Sequence, residues 1–230
     1  MPILPAPQHT APLESARCIR SRFQIITRGK SMFKRLAAAA LLAATAGSAT
    51  VVHAQRPSPP QGPLISGYLC CNMRTYGNSI SDINYDEQGT SIVAVGTPAR
   101  ITAYDFRWFN LDLAGKPQRI KNDYSRNIAL IDFAQRYVVT EDPKQKMAGF
   151  PPAIRDAILA VKIMPGMTRE QVLMAVGYPV AGENPSLDAP TWRYWRDSWS
   201  EYQVNFDEQG LVKSVLGDPV ALSRVLAPTP

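Results

Sequence analysis

From residue 64 onward, the apolar positions follow one period and then another. Up to about residue 143, short alternating runs dominate, at 68–73 (YLCCNM), 91–95 (SIVAV), 100–104 (RITAY), 108–113 (WFNLDL) and 118–120 (QRI). Gly89-Thr90, Gly96-Thr97-Pro98 and Ala114-Gly115-Lys116-Pro117 separate several of them. Alternation places every second side chain on one face of a strand, and Gly and Pro supply the turns. This spacing therefore predicts a small, strongly bent sheet or barrel. Ile128, Ile131, Ala134 and Val138 then recur at helical spacing, which predicts one amphipathic helix over 125–138. The polar stretch 142–149 interrupts the pattern and sets a boundary between two modules, 64–143 and 144–230.

Beyond the boundary, Pro151-Pro152 opens a helix with Ile154, Ile158 and Val161 on one stripe. The run MPGMTREQVLMAVGYP, 164–179, carries every signal of a short helix. Thr168 and Gln171 form a capping box, Met167 and Val172 a hydrophobic staple, Gly177 suits the left-handed position after the last turn, and Pro179 stops it. Three strands follow. Trp192 and Tyr194 share one face of the first, Tyr202, Val204 and Phe206 one face of the second, and 211–216 forms the third.

The heptapeptide Ile83-Asn84-Tyr85-Asp86-Glu87-Gln88-Gly89 has a near copy at Val204-Asn205-Phe206-Asp207-Glu208-Gln209-Gly210. The flanks do not match, whereas a duplication should extend over a whole supersecondary unit. The repeat therefore predicts two hairpins that share turn chemistry, DEQG joining an aromatic-bearing strand to a β-branched one in each.

Charge changes the picture once the leader is set aside. Met32-Phe33-Lys34-Arg35, the Ala/Leu-rich run 36–52 and Val52-His53-Ala54 read as a signal peptide over 32–54, cleaved before Gln55. The run is too short and too rich in small residues for a membrane span of roughly 20 apolar residues. Residues 1–31 read as an upstream extension from a misassigned start, and the Pro-rich 55–63 (QRPSPPQGP) as a linker. Of 25 basic and 19 acidic residues, seven and one precede Gln55. The net charge of +6 thus belongs to the leader, and the mature chain gives no reason to expect a nucleic-acid partner. Both histidines, His9 and His53, leave with it. No imidazole remains for Ser-His-Asp or Cys-His chemistry, and no metal-loop or nucleotide motif appears. The expectation is a non-enzyme with no cofactor and no metal.

Cys70 and Cys71 are adjacent. Consecutive Cα atoms lie about 3.8 Å apart, below the roughly 4.4–6.8 Å of a relaxed disulfide. Two readings stand: a redox-active or ligand-gripping vicinal disulfide, or two cysteines on opposite faces of one strand. The structural reading is preferred.

PGMTREQV, VGYPV, TWRYW and YQVNFDEQGLVKSV occur in series between 163 and 215, and this series resembles the SmpA/OmlA (BamE-like) family of outer-membrane assembly lipoproteins. The resemblance implies an α+β fold for 144–230, helix-helix followed by a three-stranded antiparallel sheet, in an envelope protein that works by binding. It implies an envelope protein partner and possible outer-membrane association. The family members of the assembly machine are lipidated, whereas here no cysteine follows Ala54, so the expected product is periplasmic or secreted and not lipidated. Residues 64–143 resemble bacterial SH3-like domains through VAVGTPARITAYD, which implies peptide or peptidoglycan binding as the alternative function. In the aromatic cluster, alternation assigns Trp192 and Tyr194 to the core. Trp195 and Trp199 are the candidate partner-binding residues, with peripheral packing as the competing role.

Overall fold

The computed structural model describes residues 57–228. The upstream extension, the signal peptide and the cleavage site before Gln55 lie outside the described residues. Residues 57–65 have no regular structure, and seven strands follow. They are β1 (Ser66–Leu69), β2 (Met73–Tyr76), β3 (Ser79–Ser81), β4 (Ser91–Val93), β5 (Pro98–Tyr104), β6 (Trp108–Leu113) and β7 (Lys116–Lys121). Helix α1 (Leu130–Tyr137) and the short β8 (Val138–Val139) complete the first half.

These strands form one curled sheet in the order β4-β2-β3-β7-β6-β5-β1-β8. Only Cys70, Cys71 and Asn72 connect β1 to β2, yet β3, β7, β6 and β5 lie between them in the sheet. A sheet whose sequence neighbours sit so far apart must bend back on itself, giving a half-barrel. The turn before β5 closes the bend: Leu69 N–H donates to Thr97 O, and Gly96 N–H to Leu69 O, both at 2.8 Å. Inside lie Leu69, Met73, Ile80, Phe109 and Ile120, all fully buried. Helix α1 lays Phe133 and Tyr137 over them, their rings 4.9 Å apart.

The strand expected over 68–73 is therefore two strands, broken where Asn72 turns its side chain away from the sheet. The helix expected over 125–138 starts at Leu130, because the Ser125 carbonyl is engaged in a turn with Ile128 N–H and its hydroxyl with Ala181 N–H. The polar stretch 142–149 contains helix α2 (Pro143–Ala148), capped by Asp142, whose carboxylate accepts Lys144 N–H at 2.9 Å.

In the second half, α3 (Pro152–Leu159) and α4 (Arg169–Val176) pack on a three-stranded antiparallel sheet ordered β11-β10-β9. Its strands are β9 (Thr191–Asp197), β10 (Ser200–Phe206) and β11 (Val212–Gly217), and α5 (Pro219–Val225) follows them. Burial along β10 alternates strictly, with Tyr202, Val204 and Phe206 inside. The capping box is present: Gln171 Oε1 accepts Thr168 N–H at 2.9 Å, and Thr168 Oγ1 accepts Gln171 N–H at 3.3 Å. Met167 and Val172 are both fully buried. Gly177 has φ +84° and ψ −177°, a glycine-only region rather than the left-handed helical one. A side chain there would also meet Asn84 Nδ2 at 3.2 Å and Met73 Sδ at 3.3 Å.

The second copy of DEQG closes a hairpin as expected, and the first does not. In the second, Asp207 Oδ1 accepts Gln209 N–H and Leu211 N–H, Gly210 takes φ +77°, and the loop joins β10 to β11. In the first, Gly89 takes φ +86° before β4, but residues 83–86 are not a strand. They form a strap in which Asn84 has φ +57° and Asp86 N–H donates to Arg196 O at 2.7 Å.

The halves meet at the C-terminus of α4, whose last carbonyls need donors from outside the helix. Leu173 O accepts Gly177 N–H, and Met174 O accepts Asn72 N–H. Ala175 O accepts Asn72 Nδ2 and Val176 O accepts Asn84 Nδ2, at 3.1 and 2.8 Å. Two asparagines of the β-rich half thus cap a helix of the other half. The described residues all belong to one compact unit.

Candidate functional site

The inner face of the C-terminal sheet is core. Trp192 is fully buried and packs edge-on against Phe206 at 4.7 Å. Tyr194 and Tyr202 stack at 5.3 Å, and burial pushes both phenols far above their usual range, so neither ionises under ordinary conditions. The outer face is polar and partly exposed. Thr191, Asn205 and Ser214 form one hydrogen-bonded row across all three strands, with Thr191 Oγ1 donating to Asn205 Oδ1 at 2.8 Å and Asn205 Nδ2 to Ser214 Oγ at 3.3 Å. Arg193 and Glu201 approach to 3.7 Å, and Leu216 adds an exposed apolar side chain.

Trp195 and Trp199 take different positions. Trp195 pairs with Glu201 across the strands and is half-buried, its Nε1 donating to Glu183 Oε2 at 2.8 Å. Trp199 sits at the tip of the β9–β10 hairpin and is 91% exposed. Its backbone is fixed, since Asp197 Oδ1 accepts the N–H groups of Trp199 and Ser200 at 2.8 and 2.9 Å. The Trp199 N–H, with help from the Arg196 charge, holds the Asp197 carboxyl below its usual range. The tip is thus a defined turn that presents a large indole to solvent.

Beside it runs the strap from the first half. Tyr85 lies against Ser198 and its ring is 6.4 Å from Tyr124, which is itself exposed. Asp86 binds Arg74 at 3.0 Å while its N–H holds β9 at Arg196. Sequence reasoning missed Glu183 and Tyr124 because each belongs to a loop with no periodic signal. The repeat at 83–89 drew attention to Tyr85, but as part of a hairpin.

The cysteines lie in another region. Cys70 and Cys71 are joined as a disulfide; Cys71 is fully buried, and Cys70 borders a cavity of about 240 Å³. Across that cavity Lys146 and Glu170 form a 2.9 Å ion pair, and this hydrogen bond raises the lysine pKa. Among the described residues, no group of three or more His, Cys, Asp and Glu side chains is placed to hold a metal ion. No described helix is long and apolar enough to cross a membrane.

Comparison with known proteins gives no match among curated sequences or solved structures. Residues 154–216, running from α3 into β11, match the family model for the outer membrane protein assembly factor BamE domain, and the C-terminal part of the chain is a BamE-like domain.

Proposed function

We propose that this chain is a non-catalytic binding or assembly factor of a bacterial cell envelope, and that it captures a protein partner with the β9–β10 hairpin tip and the adjoining outer face of the sheet. The observation that carries the proposal is Trp199, an indole 91% exposed on a turn whose conformation is fixed by Asp197. Exposed tryptophan on a rigid support loses little conformational entropy on docking, and tryptophan is enriched among residues that dominate interfaces. The BamE-like segment supports the assembly role. The leader supports export to the periplasm or beyond without a lipid anchor.

Site-specific photo-crosslinking from position 199 in envelope-bearing cells tests this reading. The expected result is one dominant crosslinked protein, whose capture by the purified chain weakens on Trp199→Ala. The alternative places ligand capture in the β-rich half, where a groove of about 330 Å³ is lined in part by Ile92, Leu113, Lys116 and Gln118. Capture that survives Trp199→Ala but is lost on Ile92→Asp would assign the function to that groove.

A further inference from the structure

The Cys70–Cys71 disulfide is unsymmetrical in its surroundings. Cys71 is fully buried among the core side chains of the half-barrel. Cys70 is partly exposed and borders the 240 Å³ cavity, whereas Cys71 is not among the lining residues. The opposite walls are Pro143 of α2 and Leu173 and Met174 of α4, with Tyr178 beyond them, and the charged lining groups are Glu141, Glu170 and Lys146. Thiol–disulfide exchange requires a thiolate to approach one sulfur in line with the bond, so access decides which sulfur is attacked.

We propose that this cavity makes the Cys70–Cys71 disulfide a thiol-exchange site with Cys70 as the attacked sulfur. An incoming thiolate bonds to Cys70 Sγ and the S–S bond breaks. Its electron pair leaves on Cys71 Sγ, which takes up the proton that the incoming thiol gave away. The products are a mixed disulfide on Cys70 and a buried Cys71 thiol. A second thiol attacks the outer sulfur of that mixed disulfide, releasing an external disulfide and a Cys70 thiol. The two thiols are thereby oxidised and the protein disulfide reduced by two electrons. The ligand class follows from the walls. Two carboxylates against one ammonium disfavour an anionic thiol, and the apolar side chains suit a small neutral thiol or a cysteine flanked by apolar residues.

The test uses the full chain without denaturant. After brief exposure to 2-mercaptoethanol, acid quench and alkylation, peptide mapping should find the mercaptoethanol adduct on Cys70 and the alkyl group on Cys71, in excess over the reverse arrangement by about tenfold or more. Mercaptoethanesulfonate, of similar size but anionic, should react more slowly. Leu173→Trp, which fills the cavity, should slow exchange by about tenfold while leaving the far-ultraviolet spectrum unchanged. Adducts divided equally between the sulfurs, adducts mainly on Cys71, or reaction only after unfolding would overturn the proposal. So would a rate indifferent to Leu173→Trp in the folded protein. The mapping needs no cysteine variant, so a variant that failed to fold would not leave the question open.

Discussion

Asn72 caps a helix 103 positions away, its Nδ2 donating to the carbonyl of Ala175 at 3.1 Å. The same amide nitrogen donates to Ile158 O at the end of α3 at 2.7 Å, and Asn72 Oδ1 accepts Val95 N–H at 2.9 Å. Asparagine is suited to this place because one planar amide supplies two donors and an acceptor within a few ångströms. The residue is 2% exposed, so water cannot substitute for it.

Asn72→Ala should therefore leave Ala175 O and Val95 N–H without partners in the interior, while Ile158 O keeps the Val161 N–H. At about 1–3 kcal/mol for each buried unsatisfied group, the expected loss is about 3 kcal/mol or more. Urea titration should show a lower midpoint with an unchanged slope. Asn84→Ala also removes three bonds, those of Nδ2 to Val176 O and Asn72 O and that of Oδ1 from Arg74 N–H, but at a half-buried site where water can partly replace them, so it should cost less, about 1–2 kcal/mol. Equal losses at the two positions would contradict the central role given to Asn72.

A fragment comprising residues 144–230 keeps Ile158, Val172, Trp192, Val204 and Phe206, all part of one core cluster. We expect it to melt cooperatively by itself. Its melting temperature should lie below that of the whole chain, because the carbonyls at the end of α4 lose Asn72 and Asn84, and the core loses Val95. Circular dichroism melts of both species check this; a featureless spectrum for the fragment would show that the core is shared.

Asp82 gives a pH signature. Its carboxyl is 1% exposed and accepts the backbone N–H groups of Asp123 and Tyr124, yet burial outweighs these bonds and raises its pKa above the ordinary 3.8. A folded-state pKa above the unfolded one means that the folded state binds the proton more tightly. Stability from this group is complete below pH 3.8 and is lost as pH rises through the raised value. Asp82→Asn should thus gain stability relative to the natural chain between pH 3 and neutrality. A difference between the two proteins that does not vary with pH would refute the assignment.

Where the local code is complete, the sequence already declares the structure. Thr168, Gln171, Gly177 and Pro179 state one helix between them, and alternation alone places Trp192, Tyr194, Tyr202, Val204 and Phe206 inward. What stayed hidden depends on partners far along the chain. Asn72 reads locally as one more residue of a strand, and nothing within a dozen positions shows that it will meet Ile158 and Ala175. Residues 83–86 read as a strand because Ile and Tyr alternate with polar neighbours. Their backbone instead serves Arg196, and Asn84 takes a positive φ that places its amide against α4. Helix α2 was obscured by polarity, although Asp142-Pro143 is a start signal, because its one large buried side chain, Met147, gives no period. For the candidate site, the position of Trp199 in a turn followed from the sequence, but the different burial of Trp195 and Trp199 required Glu183, which sits in an aperiodic loop.

The tryptophans of the C-terminal sheet provide the separation between folding and binding. Trp192 is fully buried against Phe206, and replacing it by alanine leaves a large void, with an expected loss of roughly 3–5 kcal/mol. Trp195→Ala removes a hydrogen bond to Glu183 and some packing, so about 1 kcal/mol is expected, and Glu183→Ala should reproduce part of that loss. Trp199 is 91% exposed, so Trp199→Ala should change stability by no more than about 0.5 kcal/mol. If its indole anchors the partner, the same substitution should weaken binding by about 2 kcal/mol or more. Asp197→Ala supplies an independent check: it frees the N–H groups of Trp199 and Ser200, loosens the turn and should weaken binding while the indole is still present. Melting temperatures and partner affinity measured on this series separate the roles. Should Trp199→Ala leave affinity unchanged while Asp197→Ala also has no effect, the hairpin tip is not the docking surface.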